Sequence, residues 1–116
     1  MGKLTTHVLD TANGCPAAGV ALRLYRCGSR CELLLQLHTN ADGRVDHPLL
    51  EGETFSAGVY ELRFEAGAYF RRRGDDLPEP PFLDEVRLRF GVADAAQHYH
   101  VPLLISPWSY STYRGS

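Results

Sequence analysis

Alternation with a period of two constrains this chain more than any other feature of it. Tyr60, Leu62 and Phe64 alternate with Glu61, Arg63 and Glu65, and Val86, Leu88 and Phe90 alternate with Arg87 and Arg89. Successive side chains of a strand point to opposite faces, so each run reads as a strand with one buried side. Val20, Leu22 and Leu24 form one face of a third strand. Leu33, Leu35 and Leu37 form one face of a fourth, although Leu34 blurs its pattern. Weaker runs cover Leu4 to Asp10, a short piece near Val45, Tyr99 to Ile105, and Tyr110 to Tyr113. Turn signals punctuate them at Asn13-Gly14, Cys27-Gly28-Ser29, Asp42-Gly43, Glu51-Gly52 and Gly91. Short strands at this spacing predict an all-β sandwich. The exception is AGAYFRRR, Ala66 to Arg73, which reads as one short helix stopped by Gly74. Asp75 to Pro81 reads as an extended loop, because its three prolines forbid regular pairing.

A chain of 116 residues has the length of a single domain, taken here as 1–116. Its 12 Lys+Arg against 14 Asp+Glu give a net charge of −2, which argues against a nucleic-acid partner. The triplet Arg71-Arg72-Arg73 is expected to be a solvated patch compensated by Asp75, Asp76 and Glu79. No apolar run approaches the ~20 residues of a membrane span, and Met1 to His7 lacks the apolar core of an export signal. The expectation is a cytoplasmic protein with no membrane role. Cys15, Cys27 and Cys31 are too few for a disulfide scaffold and are expected as free thiols.

The strand His98 to Ile105 is where chemistry first shows. Tyr99, Val101, Leu103 and Ile105 are uniformly large and apolar and belong to the core. His98, His100, Pro102 and Leu104 then share the opposite face, too apolar for bare solvent beyond its histidines. A face of that kind packs against another subunit. Pro102 has no N–H for a ladder, so the strand needs an irregularity or a free edge there. In the first strand Leu4, Thr6 and Val8 lie on one side and Thr5, His7 and Leu9 on the other. The five histidines do not make a metal site: His98-x-His100 has ligand spacing on a strand, but no third ligand is identifiable. A Gly-rich phosphate loop and a GxSxG elbow are both missing. The C-terminus, Ser106 to Ser116, keeps its aromatics and hydroxyls to the end, unlike a frayed tail, and is expected to be docked.

Four motifs together resemble a known family. Thr5-Thr6-His7-Val8-Leu9-Asp10 with Gly14-Cys15-Pro16-Ala17, Thr39-Asn40-Ala41-Asp42-Gly43-Arg44, His98-Tyr99-His100-Val101-Pro102-Leu103-Leu104, and the terminal Tyr113-Arg114-Gly115-Ser116 are similar to the signatures of the transthyretin-like 5-hydroxyisourate hydrolases. The resemblance spans Leu4 to Ser116. It implies an all-β, eight-stranded, two-sheet transthyretin-like sandwich with one short helix. It also implies a homotetramer, built as a dimer of dimers around a central channel that holds the active sites. The implied reaction opens the six-membered ring of 5-hydroxyisourate, in urate catabolism, to 2-oxo-4-hydroxy-4-carboxy-5-ureidoimidazoline, with no cofactor and no metal. The face carrying His7, Leu9, His100, Pro102 and Leu104 becomes the channel lining.

The expected catalytic residues are His7, Arg44, His100 and Ser116, with His7, Arg44 and Tyr113 binding substrate. Histidine accepts and donates protons near neutrality, since its unperturbed pKa is about 6.5. Base and acid are not assigned between His7 and His100, and His98 is the fallback for His100. Arg44 offers a planar fork to a flat anion and to the charge that develops on attack. Ser116 offers a hydroxyl and a terminal carboxylate to a histidine or the water. The alternative is a non-catalytic carrier of small ligands, of the transthyretin type. That carrier lacks the histidine of the first motif, the histidine strand and the terminal tetrapeptide.

Overall fold

The computed structural model describes residues 1–115 and is a two-sheet sandwich. Its strands are β1 (Lys3–Asp10), β2 (Cys15–Pro16), β3 (Ala21–Cys27), β4 (Cys31–His38), β5 (Leu50–Glu51), β6 (Gly58–Glu65), β7 (Glu85–Val92), β8 (Tyr99–Ile105) and β9 (Tyr110–Thr112). One sheet runs β2-β1-β8-β9, with β5 also paired to β1, and the other runs β4-β3-β6-β7. The pairing of β1 with β8 is parallel and the other pairings are antiparallel. The helix predicted over Ala66 to Arg73 is α1 (Ala66–Arg72), which buries Ala66, Tyr69 and Phe70.

The core is built from the alternating sets. Leu4 and Val8 of β1, Leu22 and Leu24 of β3, Tyr60, Leu62 and Phe64 of β6, and Leu103 and Ile105 of β8 are essentially inaccessible. Removing that apolar area from water is the main force holding the sheets together. The blurred fourth strand has a local cause. Leu24 pairs with Leu35 but Tyr25 pairs with Leu33, so Leu34 is the extra residue of a β-bulge, and Leu33 and Leu34 are both exposed.

Three expectations change. Cys27 and Cys31 face each other across the Gly28-Ser29-Arg30 turn and form a disulfide, so only Cys15 remains a free thiol among the described residues. Adjacent positions on a tight hairpin bring two thiols together whatever their number in the chain. The piece near Val45 is not a strand: it lies in a loop that packs across β1. Only Arg71 of the arginine triplet finds the predicted compensation, at 2.7 Å from Glu79. Arg72 instead donates to the carbonyls of Ala18 and Gly19, and Arg73 lies 3.7 Å from Asp10, so both fasten α1 to the ends of β1 and β2. No helix among the described residues is long and apolar enough to cross a membrane.

Candidate active site

The outer face of the β1/β8 sheet gathers the histidines. The parallel register sets Thr5 beside His100 and His7 beside Pro102, so the two imidazoles belong to neighbouring strands two positions apart. Thr5, His7, His100 and Leu104 are half-buried there, against fully buried neighbours on the opposite face. His98 precedes β8 and is exposed, with its carbonyl accepting from Arg114. The structure therefore puts His100 rather than His98 on the strand beside β1.

Arg44 arrives on the loop that follows β4, and a short list of bonds places it. The buried Thr39 hydroxyl donates to the Ala17 carbonyl (2.6 Å) and accepts from the Val20 amide (2.9 Å). The Asn40 side-chain oxygen then accepts from the amides of Asp42 and Arg44, the local turn chemistry that asparagine favours. Gly43 has φ +75°, and its carbonyl accepts from the Val8 amide at 2.8 Å. Any side chain at this position would collide with the Val8 carbonyl. Glycine thus meets two demands at once, a left-handed backbone and close approach to β1. With the loop pressed onto β1, the exposed Arg44 lies near enough to His100 to depress its protonation.

The same loop decides how His7 is protonated. Its Nε2 lies 2.9 Å from the Asp42 carbonyl. A carbonyl oxygen only accepts, so Nε2 carries the hydrogen of the neutral ring and Nδ1 keeps its lone pair. His100 is set differently. Its Nδ1 lies 2.8 Å from the Thr5 hydroxyl. Burial, then the Arg44 cation, then repulsion from any charge on His7, hold its pKa below the ordinary histidine value. His100 is therefore a neutral imidazole beside a permanent cation.

The tail is docked, as its composition suggested. β9 pairs with β8 from Ile105–Tyr110 to Leu103–Thr112. The same register resumes at His100–Gly115, which exchange bonds of 3.3 and 2.7 Å. Between these pairs Tyr113 falls opposite Pro102, where the ladder would require a donor that proline lacks. That is the irregularity expected at Pro102. Arg114 fastens the interrupted stretch, with its guanidinium 4.0 Å from the centre of the Tyr99 ring and bonded to the Gln97 side chain and the His98 carbonyl. Gly115 rests directly against the His100 ring. Tyr113 is exposed, and Ser116 lies outside the described residues.

A groove of about 400 Å³ lies elsewhere, between β7 and the β8/β9 edge. Leu88, Phe90, Tyr99, Val101 and Tyr110 line it together with arginines and with Tyr113, the tyrosine expected to bind substrate, and its lining includes no histidine or carboxylate. His7 and His100 stand together on the outer face of the β1/β8 sheet instead. The sequence could not have revealed two hydrogen-bond partners of these histidines, the Asp42 carbonyl and the Thr5 hydroxyl. A backbone carbonyl leaves no residue-type signal, and a threonine in a strand is unremarkable.

Residues 4–115 match the family model described as HIUase/Transthyretin family. A 5-hydroxyisourate hydrolase of Pseudomonas aeruginosa is 63% identical over 100% of this chain and 93% of its own length. Among solved structures, (S)-allantoin synthase superposes with a TM-score of 0.95 at 49% identity, covering 99% of this chain but only 44% of that one. The 5-hydroxyisourate hydrolase of Klebsiella pneumoniae gives 0.83 at 39% identity, covering both chains completely. Sea bream transthyretin in complex with thyroxine gives 0.86 at 29% identity, over 97% of this chain and 94% of that one.

Proposed function

This chain belongs to the HIUase/Transthyretin family, and on that premise we propose that His7, Arg44, His100 and Ser116 carry its chemistry. The chain is a hydrolase of 5-hydroxyisourate, the activity for which its full-length relatives are named. The observation that carries the residue assignment is the meeting of His7, His100 and Arg44 on one sheet face, with the two imidazoles held in different ways.

In this reading water attacks a ring carbonyl of the substrate. The new C–O bond forms as His7 takes the water proton on Nδ1, the atom left free by the bond to Asp42. The carbonyl electron pair moves onto oxygen, and the Arg44 guanidinium stabilises that oxyanion through its fork. His100, kept neutral, adds an N–H donor at Nε2 without competing for the proton. The ring C–N bond then breaks, and its nitrogen leaves with the proton that His7 returns. Base and acid are the same residue at two moments. Ser116 supplies its hydroxyl to the water or a histidine, and Tyr113 holds the ligand. The support for the tail is the pairing of its neighbour Gly115 with His100.

Assembly is part of the same proposal: a homotetramer, a dimer of dimers, with this face lining a channel between subunits. Leu9, Pro102 and Leu104 beside the histidines make the face more apolar than a solvent-facing one needs to be. A cytoplasmic location is proposed too, and cell fractionation tests it: recovery of the protein outside the cytosolic fraction would overturn it.

His7→Gln is the decisive variant, since its amide nitrogen reaches about as far as Nε2 and can donate to the Asp42 carbonyl but cannot accept the water proton. Ring opening should fall by about 10²–10⁴-fold with thermal stability unchanged. Turnover within a few-fold of the wild type would overturn the assignment of His7.

A further inference from the structure

We propose that Thr5 is a positioning residue for ring opening, its hydroxyl donating to Nδ1 of His100 and so committing the imidazole hydrogen to Nε2. The inference rests on the catalytic reading of His100 given above. The two groups are opposite one another in the parallel ladder of β1 and β8, and oxygen and nitrogen are 2.8 Å apart. Both residues are half-buried, so water competes only partly for the bond.

The direction of the bond follows from counting hydrogens. A hydroxyl has one hydrogen and two lone pairs, and among the described residues the Thr5 hydroxyl has no other hydrogen-bond partner. If it accepted from Nδ1–H, its own hydrogen would be left without a protein acceptor, and an unmet donor costs more than a spare lone pair. Donation satisfies both atoms. It also leaves N–H at Nε2, the form in which a neutral histidine can polarise a substrate oxygen.

The adjacent threonine supplies a contrast. Thr6 points to the other face and donates to the Val101 carbonyl at 2.7 Å, stitching strand to strand deep in the core. Thr5 makes no such backbone bond. Seven register pairs already join β1 to β8, so the fold does not depend on the Thr5 hydroxyl. The branched side chain has little χ1 freedom in a strand, which keeps the oxygen aimed. Gly115 closes the other side: a Cβ there would come within 2.9 Å of His100 Cδ2. The ring is held between a hydroxyl and a backbone, and it cannot turn over without losing one of them.

The test compares wild type, Thr5→Val and Thr5→Ser as full chains. Nitrogen chemical shifts of ¹⁵N-labelled histidine are read at neutral pH, with His100 assigned from its Gln variant, beside steady-state ring opening. Wild type should show the hydrogen of His100 on Nε2. Thr5→Val, of nearly the same shape, should show a mixture of tautomers and a kcat lower by about tenfold with KM within twofold. Thr5→Ser should restore both. A wild-type ring with its hydrogen on Nδ1, or a folded valine variant with wild-type kcat, overturns the proposal. Should the valine variant not fold, the wild-type tautomer and the serine variant still decide it. Failure of wild type to open the ring, with the tautomer as stated, would refute the hydrolase reading and leave the Thr5 bond standing.

Discussion

Substituting Gly115 by alanine adds one methyl group where the structure has no room for it. The new carbon would sit 2.9 Å from Cδ2 of His100, 3.1 Å from its Cβ and 3.3 Å from its Cγ. Carbon atoms in contact prefer about 3.5–4.0 Å, so the ring or the tail must yield by roughly 0.6 Å. Gly115 is not among the glycines with positive φ, so alanine meets no backbone strain and the whole effect is this contact. Two outcomes are open to the chain. Either His100 is pushed towards or away from Thr5, whose hydroxyl it meets at 2.8 Å, or the tail lifts and the two Gly115–His100 bonds are lost. Both disturb the imidazole and leave the sandwich core untouched. A displacement near 1 Å at a reacting centre can cost about 10²-fold, so kcat should fall by about ten- to a hundredfold. Global stability should change by less than about 0.5 kcal/mol, as for other surface substitutions. The assay generates hydroxyisourate from urate with urate oxidase and follows the decay of its absorbance. A Gly115→Ala protein with wild-type kcat, and with its tail still paired to His100, would refute the view that this contact positions the ring.

Arg44 is exposed, so Arg44→Ala should leave the melting curve in place while ring opening drops by about 10²–10³-fold; Arg44→Lys should recover only part, lacking the planar fork. Tyr69→Phe removes a 2.8 Å donor from the buried Asp10, whose carboxyl is otherwise pushed up by burial and pulled below its usual value by bonds from Asn13, Tyr69 and the backbone. Urea unfolding should show a loss of about 1–3 kcal/mol with an unchanged m-value. The folded pKa of His100 lies below the unfolded value of 6.5, depressed by burial first and then by Arg44 and His7. Its neutral form therefore contributes stability that is complete above pH 6.5 and is lost as the pH falls through the folded pKa. His100→Gln should remove that part of the acid sensitivity, read as a smaller drop in thermal midpoint between neutral and acidic buffer.

What the sequence disclosed, and what it hid, divides along physical lines. Tyr60, Leu62 and Phe64 announce their strand because burial acts on alternate residues and leaves a period behind. Leu34 obscured its strand because a bulge spends one residue without changing face, and only the partner strand shows it. AGAYFRRR ends where Gly74 stops it, but the jobs of Arg72 and Arg73 depend on distant segments and could not be read locally. His7, Arg44 and His100 were legible through motifs. Their convergence depends on the β1/β8 pairing across some ninety residues, and on Asn40 and Gly43 folding one loop. The disulfide was missed because an odd cysteine count says nothing about two residues facing each other on a hairpin.

The proline interruption gives the last rung of the ladder its own thermodynamics. Gly115 is joined to β8 by two bonds, separated from the rest of β9 by the position where Pro102 cannot donate. A pair isolated in this way opens without unzipping the strand behind it, at a free energy far below that of the whole domain. Its amide hydrogen should therefore exchange with solvent orders of magnitude faster than that of Leu103. The rate becomes a clock for how often the terminal segment leaves the imidazole. The contact of Gly115 with the His100 ring is thus governed by a local equilibrium that leaves the core untouched.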